Sequence, residues 1–161
     1  MGDFMIKFKI VAVGNIKEDF LRQGIAEYSK RINKYAKCEI IECAEGKLNP
    51  NPSATEIASV LEKESDAIIK NLEGYSILCD LNCKQLTSEE MAENIKQITN
   101  TSSTITFVIG SSYGVSDKVR KAVNTSLSFS KATFPHMLMR VLLLEQIYRS
   151  LSIINNASYH K

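Results

Sequence analysis

The chain has 161 residues, a formal net charge of +2, 44% hydrophobic residues and 24% charged ones. That length is enough for one domain with a real core, expected to span residues 1–161, and the composition is that of a globular protein rather than a disordered one. No apolar run approaches the roughly 20 residues of a membrane span, and no signal-peptide pattern opens the chain, so a cytoplasmic protein without a membrane partner is expected. Met1-Gly2 is followed by Ile6 where a myristoylation signal wants Ser or Thr, and Met5 is an alternative start to Met1.

Residues 6–13 alternate and then become continuously apolar, which predicts a strand entering a core; Gly14-Asn15 ends it. Residues 17–35 predict a helix from the spacing of Phe20, Leu21, Ile25, Tyr28 and Ile32. Residues 38–43 predict a second strand, and 44–51, with Gly46 and Pro50, a loop. Ser53 and Glu56 have capping-box spacing and open a helix through residue 72, stopped at Gly74. Residues 75–81 predict a third strand, 82–85 a turn, 87–99 a helix and 104–109 a fourth strand. Ser116 is expected to cap a short helix over 117–123, and 126–130 to run extended. Pro135 suits the first turn of the last helix, with Thr133 as cap, and that helix is expected to reach residue 153 before a polar tail. Strand and helix alternate, which predicts an α/β protein with a mostly parallel sheet covered by helices on both faces.

In the last helix Met137, Val141, Leu144, Tyr148 and Leu151 form a stripe that Leu138, Leu142 and Leu143 widen. A terminal helix so apolar on several sides is either central to the core or shared with a second subunit. A homodimer is expected. Residues 121–161 carry five basic side chains and one acidic, whereas residues 44–100 carry five and ten. The basic end allows a phosphate-bearing partner without demanding one. Cys38, Cys43, Cys79 and Cys83 lack zinc-site spacing, so buried thiols and no metal are expected.

Two segments bear chemistry. Gly110-Ser111-Ser112-Tyr113-Gly114 follows a buried strand, and small residues there let backbone N–H groups approach a ligand. It is neither a Walker loop nor GxGxxG; taken alone it is a tight turn. The segment 127–136 mixes hydroxyls, Lys131, two aromatics and a Pro-His step; taken alone it is a loop leading to a helix cap.

Taken together they are specific. FVIG at 107–110, LSFSKATFPHMLMRVLLLEQIYR at 127–149, the closing Tyr159-His160-Lys161 and the opening IVAVGNIK at 10–17 with IAEYSKRI at 25–32 resemble one family along the whole chain. It is the RlmH family of large-subunit (23S) ribosomal RNA pseudouridine N3-methyltransferases. The resemblance implies a SPOUT-type fold whose C-terminal part forms a deep trefoil knot, a feature base rates alone would reject. It implies S-adenosylmethionine as methyl donor, a homodimer, and ribosomal RNA in the assembled ribosome as partner. Carried over by position, the donor pocket is Cys79, Gly110, Ser111, Phe129, Ser130, Lys131, Ala132, Thr133 and Phe134, with Lys131 pointing away or using its backbone only.

Tyr159 or His160, from the partner's tail, is expected to position or accept the imide proton that must leave. His136 is the competing histidine, either a structural residue or an RNA contact. Arg140 and Arg149, nine apart, are read as sharing a helix face, where RNA phosphate contact, tail anchoring and interface or surface pairing are all open; Lys161 is a further RNA candidate.

The sequence departs from the family at four places. Gly110-Ser111 stands where the family has Gly-Gly, so a Cβ is expected to crowd the donor or forbid a positive φ. Cys79 replaces a larger aliphatic residue. Asn155-Asn156-Ala157-Ser158 replaces an Arg-Gly-Glu-Pro-like approach to the tail, and the 44–50 loop differs. These departures leave two alternatives: a SPOUT methyltransferase acting on another RNA, or a non-catalytic RNA-binding dimer.

Overall fold

The computed structural model describes residues 5–161; residues 1–4, with the choice between Met1 and Met5 as start, lie outside them. Ten elements follow in order: β1 (Lys7–Val13), α1 (Asp19–Ile32), β2 (Lys37–Cys43), α2 (Ala54–Lys70), β3 (Tyr75–Cys79), α3 (Ser88–Thr99), β4 (Thr104–Ile109), α4 (Asp117–Ala122), β5 (Thr125–Leu127) and α5 (His136–Ile154). The five strands form one sheet in the order β2-β1-β4-β3-β5, and every pairing is parallel. β4 is buried at all six positions, as a central strand covered on both faces must be.

Side-chain alternation divides the core. Phe8, Ile10 and Ala12 of β1 join Ile105, Phe107 and Ile109 of β4 under α1, α3 and α5. Val11, Val13 and Val108 point to the other face, where Ile68 of α2 and Val119 of α4 cover them. Each strand thus serves two cores, which is why β1 and β4 read as apolar runs rather than alternating ones.

α5 packs against the sheet and against both α1 and α3. Three covered sides account for its apolarity within one chain. Its buried residues are Arg140, Leu143, Leu144, Ile147, Ser150, Leu151 and Ser152, a face rotated from the stripe expected. Leu138 is 37% exposed, and Phe20 of α1 is 70% exposed. Phe20 lies off the line through Leu21, Ile25 and Ile32, since each residue turns a helix by a quarter circle or more. The extended stretch expected over 126–130 is shorter, Thr125–Leu127. Thr133 does not cap α5; Pro135 occupies the cap position and no side chain bonds there.

Ser53 and Thr87 each close a complete capping box, with Glu56 and Glu90. Among the described residues no helix is long and apolar enough to cross a membrane. Thr87→Ala removes the acceptor for the Glu90 amide and is expected to lower stability by about 1 kcal/mol. Urea denaturation checks this: the midpoint should fall while the slope is kept.

Candidate active site

The carboxyl ends of β3 and β4 lie side by side, with Cys79 opposite Ile109. Strands ending together in a parallel sheet leave a crevice where the chain turns away. The crevice here is a cavity of about 610 Å³. Its floor is Cys79 and Ile109, one side is Gly110, Ser111, Ser112 and Gly114, and the opposite wall runs from Ser128 to Phe134 and on to Met137 and Met139. Burial pushes the Cys79 thiol up to about 12, so it is a neutral, apolar floor.

The glycine turn has two conformational demands. A Cβ on Gly110 would collide with the carbonyl oxygen of Gly114 and lie 2.7 Å from Val115 Cγ1. Gly114 has φ +85°, a conformation side chains rarely adopt. Between them the Gly114 amide donates to the Ser111 carbonyl at 2.9 Å, and the Tyr113 amide reaches Ser111 Oγ at 3.4 Å. Ser111 makes no such demand. Among the described residues the side-chain-bearing positions with positive φ are Asn82 and Asn156. The expected conformational penalty at Ser111 is therefore absent: its Cβ sits on ordinary backbone, 8% exposed, at the cavity edge.

The rim is charged but balanced. Asp80 lines the cavity and forms an ion pair with Arg120 of α4. On the wall, the Ser128 hydroxyl donates to the Ser130 carbonyl at 2.8 Å, and the Ala132 amide donates to Ser130 Oγ at 2.9 Å. These two bonds fold the wall into a fixed turn. Lys131 is exposed and does not line the cavity.

Cys79, Gly110, Ser111, Phe129, Ser130, Ala132, Thr133 and Phe134 therefore meet around one space. His136, expected at RNA, also lines it, while its Nε2 is buried without a partner. Asp80, Met137 and Met139 were missed by sequence reasoning. Asp80 has a signal, since it follows Cys79 at a strand end; the methionines read as core.

Arg140 is not presented to RNA. It is 1% exposed, bonded through Nη1 to Glu42 Oε2 at 2.6 Å and through Nη2 to the Gly14 carbonyl at 3.0 Å. Nor does it share a face with Arg149: nine residues are two and a half helical turns, which puts the two on opposite sides. Arg149 instead reaches Glu145 Oε1 through Nη2 at 2.6 Å and His160 Nδ1 through Nη1 at 3.2 Å. Its guanidinium carbon lies 4.7 Å from the Tyr159 ring centroid.

The tail docks on its own chain. Asn156, at φ +54°, reverses the backbone after α5, and the Ala157 amide returns to the Ser152 carbonyl at 2.8 Å. Asn is the residue that best replaces Gly in this conformation, so the altered approach keeps the turn. Tyr159 packs edge-on against Tyr148, donates to Glu145 Oε1 at 3.0 Å, and His160 Nε2 meets Glu89 Oε1 at 2.8 Å. Neither they nor the exposed Lys161 line the cavity. Arg149 lies about 20 Å along α5 from His136, at 1.5 Å per residue. Among the described residues no group of three or more metal-binding side chains gathers.

An all-parallel α/β sheet with an apolar cavity at its strand ends and a glycine turn on one side belongs to the class that holds an elongated, partly apolar small molecule. More particularly, the chain belongs to the SPOUT methyltransferase family: the family model described as "Predicted SPOUT methyltransferase" matches residues 6–160. It is 48% identical over 155 residues to the ribosomal RNA large subunit methyltransferase H of Caldicellulosiruptor bescii, covering 95% of this chain and 99% of that one. It is 47% identical over 159 residues to the protein of the same name from Clostridium botulinum strain Kyoto, covering 97% and 100%. A probable methyltransferase of Bordetella pertussis Tohama I, known from a crystal structure, shares the fold at TM-score 0.55 and 10% identity, over 92% of this chain and 95% of that one.

Two outcomes follow. Gly110→Ala forces the turn apart and is expected to lower stability by about 1–3 kcal/mol in urea denaturation, as overpacking does. Burial first, and the bond to Glu145 second, push the Tyr159 phenol up to about 12 from 10.0. A raised folded-state pKa means the tail contributes stability below about pH 10 and loses it as pH rises towards 12. Comparing the pH dependence of unfolding with that of Tyr159→Phe, which lacks this loss, checks the assignment.

Proposed function

We propose that the protein transfers a methyl group from S-adenosylmethionine to N3 of a pseudouridine in large-subunit ribosomal RNA. The observation that supports this most is near-full-length identity of 47–48% to relatives named for methylating that RNA, together with a cavity of matching character. The fit is chemical. A volume of about 610 Å³ suits a small-molecule site. Phe129 and Phe134 offer apolar walls, and the backbone of 129–131 and of Gly110-Ser111 offers amide partners for a purine. Asp80, already paired with Arg120, adds no unbalanced charge beside a sulfonium. When bound, S-adenosylmethionine supplies an electrophilic methyl group.

The chain's residues then hold, orient and deprotonate. Cys79 and Ile109 form the floor and the 128–134 wall closes the side. The acceptor N3 carries a proton at neutral pH, so a base must stand opposite the cavity. A tail that docks about 20 Å from the cavity along its own helix reaches a cavity of a second copy instead. In that homodimer His160 takes the proton at Nδ1, replacing its contact with Arg149 there, while Glu89 holds its Nε2–H and Tyr159, donating to Glu145, holds the tail. Exposed Phe134 on the cavity wall, with exposed Leu138 and Tyr113 next in the chain to lining residues, forms part of the contact between copies. The same reading includes the C-terminal trefoil knot, action on assembled ribosomes and a cytoplasmic location. His136 and Lys161 are retained as RNA contacts; Arg149 anchors the tail.

Incubation with labelled donor and ribosomes lacking this methyl group tests the reading. The label is expected in large-subunit RNA, in a nucleoside that digestion identifies as N3-methylpseudouridine. Label in another RNA would support the alternative substrate, and no label would refute methyl transfer. His160→Ala is expected to lower the rate by about 10²–10⁴ while donor binding by calorimetry is kept.

A further inference from the structure

Glu64 is one turn before Ile68 on α2, on the side that covers Val108 and Val115. α2 packs against β1, β2 and α4, its Ile68 shares a core cluster with Val108 of β4 and with Val115 just past the glycine turn, and Ser111 of that turn is a neighbour of the Glu64 carboxylate. Glu64 is 5% exposed. Its Oε2 accepts the Gly46 amide at 2.9 Å, while its Oε1 is buried with no hydrogen-bond partner. Burial raises its pKa, Glu45 adds to the rise, and the Gly46 amide and the neighbouring Ser111 hydroxyl oppose it. Ser111 is thus close enough to act on the carboxylate, although no hydrogen bond of ordinary length joins them.

A bare buried carboxylate oxygen beside a hydroxyl is a bond waiting to close, since leaving either group unpaired has a large penalty. The donors balance. Tyr113 N–H serves Ser111 Oγ, which leaves the Ser111 proton free for Glu64 Oε1, and Gly46 N–H serves Oε2. The 44–46 loop and the glycine turn, 65 residues apart from Gly46 to Ser111, thus meet at this one side chain.

We propose that Glu64 is a positioning residue for the donor turn, its Oε1 accepting the Ser111 hydroxyl when S-adenosylmethionine fills the cavity and so pinning residues 110–114 against α2. This rests on the donor reading above. It assigns Ser111 a role that glycine lacks. It also joins the 44–46 loop to the donor site through a single carboxylate. Around it stand Glu45 and the Cys43 thiol from the β2 end, the Gly46 amide, and Ser111; Lys118 of α4 is engaged by Glu62 and Asp66.

Calorimetry with S-adenosylmethionine on the full chain, Ser111→Ala, Glu64→Gln and the double variant tests it, with thermal unfolding of each without donor. Each single variant is expected to bind donor roughly tenfold more weakly, and the double variant no more weakly than either, because the charge-assisted bond from hydroxyl to carboxylate is lost in all three. Without donor, Glu64→Gln is expected to unfold at a higher temperature above neutral pH, since it removes a buried charge. The raised pKa means this advantage fades as pH falls and Glu64 protonates. Stability up with affinity down is not what a purely structural residue shows. Unchanged affinity or additive losses would overturn the proposal. Should Glu64→Gln fold poorly, Ser111→Ala alone decides: full affinity refutes it. If the unaltered chain binds no donor, the donor reading itself fails, a result distinct from all of these.

Discussion

The guanidinium of Arg140 is where the two ends of the fold are joined. It sits inside the protein, tied to Glu42 at the end of β2 and to the Gly14 carbonyl at the end of β1. A buried charge left without its partner is strongly destabilising, so α5 has one acceptable height on the sheet. That height sets where α5 begins, and therefore where His136, Met137 and the preceding wall from Ser128 to Phe134 stand. Gly14 takes part as well: a Cβ there would lie 2.7 Å from Met137 Cε. The part of the cavity wall that α5 supplies is thus set by contacts with the ends of β1 and β2.

The opposite wall depends on backbone rather than on charge. Gly110 is pressed against Gly114, and Gly114 turns through a conformation open mainly to glycine. With the turn so constrained, Ser111 contributes a side chain without a conformational penalty. The chemistry of the space between the walls is apolar and neutral, from a protonated Cys79 to a paired Asp80. A space of that character suits a ligand recognised by shape and by backbone amides.

The tail is the complement of this arrangement. Asn156 folds it back, and Glu145 receives both Arg149 and Tyr159 while His160 bridges Arg149 and Glu89. The two residues best suited to proton chemistry are held in order at the far end of α5. The cavity lies at the other end of the same helix, where exposed Phe134 forms part of its wall.

Much of this was legible in the order of residues alone. Apolar runs at β1 and β4, the Ser53 box, the helix start at Thr87 and the alternation of strand and helix follow from local periodicity and capping, which depend on near neighbours. The cavity residues could be named because they fall in two continuous segments with a family resemblance. Arg140 could not be placed, since arginine is so seldom buried that the surface is the natural expectation. Glu64 was invisible among the other acids of α2. Both roles depend on partners far along the chain, Arg140 on Gly14 at 126 residues' separation. The sequence by itself determined the elements, the burial of β1 and β4 on both faces, and the family. Only the tertiary structure decided the order β2-β1-β4-β3-β5, which sets the ends of β3 and β4 together, and the packing that buries Arg140 and leaves the tail far from its own cavity. The physical reason is that periodicity states which face of an element is buried, while strand order and long-range pairing arise only when all buried faces must be satisfied at once.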